Sequence, residues 1–541
     1  VQESATLVGM LKAPTYYSPI SNPKNSRARR NTVIEQMEKY NFITSAQAKE
    51  YKQSPLDLNY GVVQHVGGIA PYFRREAQKF LERWARENGR DLYKEGLRIY
   101  TTIDSKMQRY AEESVDEHLI KFQKLFYDHW KYLKKNPWVD VWNRELPNYI
   151  EREARKSARY KVLKEAYGDN ERKILAEMNK KVPMRIYAWT KNKFVEKDTV
   201  MTPLDSIRYY KYFLQAGFSV MEPKTGHIKA WVGGNNFKHF QYDHVIQGRR
   251  QPGSTFKAIL YAAALDNGFT PCYKLQDVAV RFGDGWTPRN ANLVYSGAWM
   301  SLKTGLATST NSIAAGLMKS LGPEMVIDYA RELGIKSPID TTATICLGTS
   351  DVTVAELLGA YCTFANQGNH IEPMFITRIE DRHGNLVQEF VPKVRKAISE
   401  DLAYQMLHMM QGTTKSGGTA VAIHGYGGNG ENNVGWHNEI AAKTGTTQNN
   451  SDAWFMGVTP SLAAGVWVGG DTRANRFTTI SLGQGGVLAL PVWGKFFAKL
   501  YADPELRKKY PKGAFARPEE LSVELDCAKM ELEMQEVFRE E

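Results

Sequence analysis

Apolar and polar positions change rhythm several times along this chain. Gln215-Ala216-Gly217-Phe218-Ser219-Val220-Met221 and His227-Ile228-Lys229-Ala230-Trp231-Val232 have the pattern of strands. Between them Glu222-Pro223-Lys224-Thr225-Gly226 carries turn chemistry, so a hairpin is predicted. Next, Gln251-Pro252-Gly253-Ser254-Thr255-Phe256-Lys257 leads into Ala258–Leu265, a run of strong helix formers with an apolar face, and Pro252-Gly253 suits a tight turn before it. A largely helical region continues to about Gln367. Ala441–Thr447, Ala453–Val458 and Ala463–Val468 then predict three strands close in sequence, as in an antiparallel meander. A sheet made from the first and last parts of a domain, with helices between, is an α+β layer arrangement with helices on both faces. Upstream, residues 1–57 read as short helices joined by proline-rich loops, and 58–106 as short strand-like and helical pieces. Residues 107–210 are helix-rich, charged and aromatic, as in His129-Trp130-Lys131-Tyr132, which predicts a solvated helical insert or, on a sharper reading, a docking module.

Composition narrows the picture only a little. The 541 residues, 42% hydrophobic and 24% charged, describe an ordinary globular protein of several domains. A net charge of +12 favours acidic surfaces such as lipid headgroups or an anionic polymer. No nucleic-acid-binding motif accompanies it, so a nucleic-acid partner is not expected. Cys272, Cys346, Cys362 and Cys527 are widely spaced, without a Cys-x-x-Cys, and predict neither a disulfide framework nor a metal site. The histidines show no ligand spacing. No apolar run approaches a membrane span, and the chain opens at Val1 on a helix-like run, Glu3–Met10, which reads as a fragment lacking an N-terminal part.

Candidate chemistry centres on Ser254. One turn after it, Lys257 lies on the same helix face, where a desolvated amine can take the hydroxyl proton. Ser-x-x-Lys alone is a weak signal, for Ser21-Asn22-Pro23-Lys24 repeats it in what reads as a surface turn. Ser309-Thr310-Asn311, between helical segments, offers a second hydroxyl to relay protons and an amide to orient a peptide. Lys-Thr-Gly occurs three times. Lys224-Thr225-Gly226 is the hairpin tip and Lys303-Thr304-Gly305 opens a helix; only Lys443-Thr444-Gly445 follows both other motifs, on a strand candidate continued by Thr446. There Lys443, Thr444 and Thr446 can hold a carboxylate, Gly445 can let a substrate backbone approach, and an edge strand can accept an extended peptide. The backbone N–H groups of Ser254 and Thr446 can form an oxyanion hole.

The order Ser254/Lys257, Ser309/Asn311, Lys443/Thr444/Gly445 resembles that of the penicillin-interacting serine acyltransferases. Arg249-Arg250 before the serine and Asp452-Ala453-Trp454-Phe455 after the third motif narrow the likeness to class A penicillin-binding proteins. Lys12–Pro19 and Arg29–Ile34 resemble the closing motifs of that family's glycosyltransferase domain, with Glu3 on a packing helix and no catalysis assigned to it. The resemblance implies a glycosyltransferase remnant at 1–57, a linker at 58–106, the insert at 107–210, a β-lactamase-like transpeptidase domain at 211–505 and a tail at 506–541. It also implies a peptidoglycan D,D-transpeptidase, acylated by β-lactams, needing no cofactor, with stem peptides as substrate. A membrane anchor outside this fragment, the periplasmic side of a bacterial membrane and other cell-wall synthesis proteins as partners belong to the same expectation. A carboxypeptidase or β-lactamase-like hydrolase, or a non-catalytic penicillin sensor, are the alternatives. Glu356 reads as a helix-packing or capping residue, and Ser481–Gly486 and Ser416–Gly418 as flexible loops at the cleft rim.

Overall fold

The structure, a computed structural model, describes residues 1–56, 68–190 and 193–531, and the chain divides into two compact units, 1–67 and 68–541. In the first unit the helices Gln2–Met10, Pro23–Lys39 and Ser45–Gln53 gather round Ala5, Ile34 and Ala48. Pro23 sits at the start of its helix, where a missing N–H is harmless, and Thr44 with Gln47 closes a capping box. The buried Arg30 donates to the carbonyls of Lys52 and Pro55, which ties the third helix to the second. Ser21 stands in the turn before Pro23, exposed, as the surface-turn reading expects. The expected linker begins at residue 58 and so falls partly outside the described residues.

The second unit is organised by a five-stranded antiparallel sheet. Its strands are β1 (Leu214–Met221), β2 (Ile228–Val232), β3 (Ala441–Thr446), β4 (Asp452–Val458) and β5 (Ala463–Gly470), in the spatial order β3-β4-β5-β1-β2. The expected hairpin and meander are therefore the two halves of one sheet, joined where β5 pairs with β1 from Ala463↔Met221 to Gly470↔Leu214. Strand β3 lies at an edge.

Helices cover both faces. On one, α1 (Ser105–Leu133) lays Met107, Ala111, Val115, Leu119, Phe122, Phe126 and Trp130 against Leu214, Ala216, Phe218 and Val220, beside Trp493, Phe496 and Phe497 of α7 (Leu490–Ala502). The other face carries α5 (Val354–Ala365) and α6 (Glu400–Gln411), with α2 (Lys257–Asp266) buried among helices. Between α2 and α5 lie α3 (Leu302–Ala307) and α4 (Asn311–Leu321).

The helical insert expected at 107–210 is not one object. Residues 107–133 belong to α1 and complete the main core; burying each large apolar side chain there stabilises by about 1.5–3 kcal/mol, so this stretch is not separable. The remainder forms its own small core from Trp138, Tyr149, Ile150, Ala154, Ile174, Met178 and Leu204. It also contains a strand pair, Val182–Trp189 with Phe194–Met201, that the charged, aromatic composition concealed.

The lead-in to Ser254 is fixed from both sides. Arg250 exchanges two backbone hydrogen bonds with Val352, and its buried guanidinium donates to the carbonyls of Gly470 and Asp471 while stacking over Trp467. Asp452, fully buried, accepts from Trp467 Nε1 (3.0 Å) and lies 3.7 Å from Arg250.

Cysteine spacing misled in one respect. Cys272, after α2, is bonded to Cys527 in the C-terminal segment across 255 residues, whereas Cys346 and Cys362 are free and buried. Linear spacing carries no information about a bridge between the two ends of a domain. A closed loop of this length constrains the unfolded chain, and Cys272→Ser or Cys527→Ser is expected to lower unfolding free energy by about 2–4 kcal/mol. Denaturant titration with and without reductant checks this: reductant should destabilise the unaltered protein by the same amount and leave either variant unmoved.

Candidate active site

Ser254 stands half-buried in the short 3-10 turn Gly253–Phe256 that runs straight into α2, whose residues Lys257 to Leu265 are all buried. Three glycines let separate backbones meet at this turn. A Cβ on Gly253, which has φ +55, would lie 2.8 Å from the Thr446 carbonyl; one on Gly348 would lie 2.1 Å from the Gly253 carbonyl; one on Gly445 would lie 2.3 Å from the Pro252 carbonyl. This corrects the role expected for Gly445. Its empty side faces the nucleophile turn, so its lack of a side chain brings β3 against Ser254 rather than admitting a substrate backbone.

Lys257 Nζ donates to the Ser309 carbonyl (2.7 Å), to Asn311 Oδ1 (2.7 Å) and, at 3.4 Å, to Ser309 Oγ. The amine expected on the Ser254 hydroxyl is thus held by the second motif. Ser309 enables this by adopting the left-handed conformation (φ +61) at the end of α3, a strain of roughly 1–2 kcal/mol that turns carbonyl and hydroxyl towards the lysine. Lys443, on β3, donates to the same Ser309 Oγ (2.9 Å) and to the Thr444 carbonyl. Both lysines are fully buried. Burial pushes the Lys257 amine down to about 7, and burial together with the Lys257 charge holds Lys443 well below its ordinary value. The site therefore keeps an amine neutral near pH 7, as a general base requires.

Asn311 is held at both ends. Its Oδ1 faces Lys257 while its Nδ2 donates to the Arg289 carbonyl (2.7 Å), which fixes the amide's orientation. The neighbouring Asn290, 7% exposed, accepts from the N–H groups of Asn311 and Ser312 at the start of α4. Asn290 Nδ2 in turn donates to Asp277, which also accepts from Ser312 and Ser296. No motif in the sequence singles out Asp277 or Asn290. Only their place beside the second motif reveals them.

Two cavities meet at Ser254, Asn311, Thr446, Thr447 and Gln448. The larger, about 640 Å³, takes in Ser309, Thr444, Thr419 and Trp286; the smaller, about 420 Å³, takes in Val139, Val141, Arg473 and Arg476. Thr444 Oγ1 donates to Thr419 Oγ1 (2.9 Å), and Thr446 Oγ1 accepts from the Gly485 N–H (3.0 Å). Thr444 and Thr446 line the wall with Lys443 buried behind them, so Lys443 reaches the larger cavity through Ser309. Ser481–Gly486, read as a flexible loop, includes the short helix Ile480–Gly483 and the start of Gly485–Leu488, with Gln484 and Gly486 on the cavity wall.

The decoys lie elsewhere. Lys224 is exposed at the hairpin tip, and Lys303 Nζ is bonded to His408 (2.8 Å) and the Leu525 carbonyl. Glu356 accepts from Thr353, Lys336 and Ser337 in a capping box, a structural use that fits its sequence setting. Among the described residues no group of three or more metal-ligating side chains is gathered.

Residues 216–476 match the penicillin-binding protein transpeptidase domain, and residues 133–214 the penicillin-binding protein middle domain. Penicillin-binding protein 2D of Bacillus subtilis is 28% identical over 519 residues, covering 94% of this chain and 61% of that protein. Penicillin-binding protein 1A of Neisseria lactamica is 28% identical over 562 residues, covering 95% and 66%. The chain thus spans under two thirds of these relatives' length. Penicillin-Binding Protein 1A from Haemophilus influenzae shares the fold at TM-score 0.68 and 21% identity, over 96% of this chain and 82% of that one. PonA1 of Mycobacterium tuberculosis, solved with penicillin V, does so at TM-score 0.53 and 21% identity, over 83% and 96%. With both matched domains in succession between residues 133 and 476, the chain belongs to the penicillin-binding proteins.

Proposed function

We propose that this chain is a peptidoglycan D,D-transpeptidase working through a serine acyl-enzyme. The observation that carries the reading is the convergence of Lys257 and Lys443 on the Ser309 hydroxyl, beside Ser254, at a cleft edged by β3. In this reading an extended stem peptide lies along β3 with its terminal carboxylate at Thr444 and Thr446. Ser254 Oγ bonds to the penultimate D-alanine carbonyl carbon as its proton passes to neutral Lys257, and the N–H groups of Ser254 and Thr446 take the developing oxyanion. The C–N bond then breaks, and the proton travels from Lys257 through Ser309 to the departing D-alanine amine. An amine from a second strand attacks the ester, its proton follows the reverse path, and Ser254 leaves with its hydroxyl restored. Lys443, behind the threonines, supports the carboxylate seat through its hydrogen bonds and holds Ser309 in the relay. β-Lactams, which carry a comparable carbonyl and carboxylate, acylate the same serine.

The placement follows from the same chemistry. A disulfide between Cys272 and Cys527 favours an oxidising compartment, which supports the extracytoplasmic side of a bacterial membrane. Among the described residues no helix is long and apolar enough to cross a membrane.

Turnover with crosslinkable strands tests the reading: cross-linked product supports it, whereas released D-alanine without cross-links supports a hydrolase, and acylation by penicillin without either product supports a sensor. With a fluorescent penicillin, Ser254→Ala should abolish labelling and Ser21→Ala should not. Lys443→Ala should lower second-order acylation about ten- to a hundredfold, because it takes a donor from the Ser309 hydroxyl and the Thr444 carbonyl and loosens both the relay and the carboxylate seat, while Lys224→Ala and Lys303→Ala change it little. Equal losses at all three lysines would refute the assignment of the third motif.

Because the base must be neutral, acylation should rise as pH passes upward through about 7, by about tenfold between pH 6 and pH 8, and then level off. Asn290→Ala should unmoor the Asn311 and Ser312 N–H groups at the start of α4, let Asn311 Oδ1 shift away from Lys257 as an acceptor that favours its charged form, and so move that midpoint lower. Acylation should fall about tenfold, a loss in the range of one buried hydrogen-bond network. A stability loss with the pH midpoint unmoved would reduce Asn290 to a purely structural role.

A further inference from the structure

The proposed reaction makes no use of two features of the chain, its excess of positive charge and the aromatic, lysine-rich run around His129-Trp130-Lys131-Tyr132. They meet at the C-terminal end of α1. A cavity of about 250 Å³ is lined there by Tyr127, Trp130 and Lys131, by Lys134, Lys135 and Asn136 just beyond the helix, and by Tyr212.

The charge around it is lopsided. Lys131, Lys134 and Lys135 are exposed and form no ion pair among the described residues; Lys135 Nζ reaches the Asn143 carbonyl (3.4 Å). One carboxylate, Glu145, stands beside Asn136, accepting from its N–H (2.8 Å) and its Nδ2 (3.2 Å). Asp128 and Asp140 are paired with Lys124 and Arg144. Three ammonium groups against one engaged carboxylate leave the pocket positive. Its walls are fixed. The Tyr212 hydroxyl donates to Asn136 Oδ1 (3.0 Å), the Tyr212 carbonyl accepts from Gln123 (2.6 Å), and its ring leans on Tyr127 with centroids 6.0 Å apart. Lys134 ends α1 in the left-handed conformation (φ +51), where glycine is usual, and the N–H groups of Lys134 and Lys135 take the Trp130 and Lys131 carbonyls. Trp130, 1% exposed, keeps its Nε1–H without a hydrogen-bond partner among the described residues, and a buried unpaired donor carries a cost that a ligand's oxygen can offset.

Cations set around aromatic rings suit an acidic polymer. A lipid surface is disfavoured, because α1 turns its large aliphatic side chains into the core and leaves polar-tipped groups outside, such as Tyr132 at 86% exposed. A nucleic acid is disfavoured by the oxidising compartment that the Cys272–Cys527 bridge favours. Sugars carry both features that the pocket matches, apolar ring faces and, in acidic polysaccharides, carboxylates. We propose that this pocket binds an acidic polysaccharide, with a carboxylate among Lys131, Lys134 and Lys135 and its sugar ring against Tyr127 and Tyr212. Asn136 is three residues, about 10 Å of chain at most, from Val139 on the wall of the smaller cavity, so a bound polymer is held beside the cleft without occupying it. The site is independent of the chemistry at Ser254 and stands or falls apart from the transpeptidase reading.

Polygalacturonate, a polymer of carboxylate-bearing sugars, is the probe, and its binding to the whole chain is measured by isothermal titration calorimetry. It should bind at least about tenfold more tightly than its methyl ester, which keeps the sugars without the charge, and than poly-L-glutamate, which keeps the charge without the sugars. Lys131→Gln, Lys134→Gln and Lys135→Gln combined should weaken it about tenfold or more. Lys161→Gln, Lys173→Gln and Lys181→Gln combined, the same loss of charge at other exposed positions, should not. Tyr127→Ser should bring polygalacturonate level with poly-L-glutamate. Cooperative melting shows that each variant is folded. Equal losses in the two lysine triples, parity with poly-L-glutamate in the unaltered protein, or no binding of polygalacturonate would overturn the proposal. So would tighter binding of phosphatidylglycerol vesicles or single-stranded DNA through the same three lysines.

Discussion

Two buried lysine amines share one serine hydroxyl at the wall of the cleft, and the rest of the site follows from that constraint. Like charges this close and this dry oppose each other, so Lys257 and Lys443 cannot both stay protonated near neutrality. The outcome is an amine ready to accept a proton near neutrality. Holding it requires elements from three parts of the chain: the buried helix α2, the left-handed residue at the end of α3, and the edge strand β3. Arg250 and Asp452 at the end of the sheet, and the glycine contacts at the nucleophile turn, keep the three from drifting apart.

Much of this is legible in the linear chain. The order of the three motifs picks Lys443 from three chemically identical copies, because position relative to Ser254 and Ser309 is a property of the sequence itself. The strands of the sheet are legible as well, since short runs bounded by glycine and turn residues have few other uses. What stays hidden depends on distance across the fold. The apolar face of α1, from Met107 to Trp130 at intervals of three and four residues, is written in the chain but masked by lysines and glutamates on the opposite face. Asn290 and Asp277 sit in a loop of ordinary composition and gain meaning only from the backbone N–H groups they cap. Gly445 is legible as a necessary glycine, yet which of its sides is crowded is a question the sequence cannot answer.

The cleft also shows how a sheet edge is kept from becoming a liability. An unpaired edge invites other strands to add to it. Here the β3 backbone at Thr446 is met by the nucleophile turn at Gly253, Gly485 lies against the carbonyls of Gly445 on β3 and Trp454 on β4, and Thr444 and Thr446 line the cavity. On the transpeptidase reading, the property that makes edges prone to aggregation becomes the means of taking up an extended peptide.

The bridge between Cys272 and Cys527 has a consequence for how the molecule is made. A polypeptide emerges from its N-terminal side, so Cys272 is exposed long before its partner exists, and Cys346 and Cys362 appear in the interval. Either could capture it. In the folded domain the turn that carries Cys346 and the helix α5 that carries Cys362 hold both thiols fully buried and unbonded, and the Cys272 sulfur is closed off by its bridge to Cys527. The C-terminal stretch, remote from the chemistry in sequence, becomes the closing stitch of the domain that performs it.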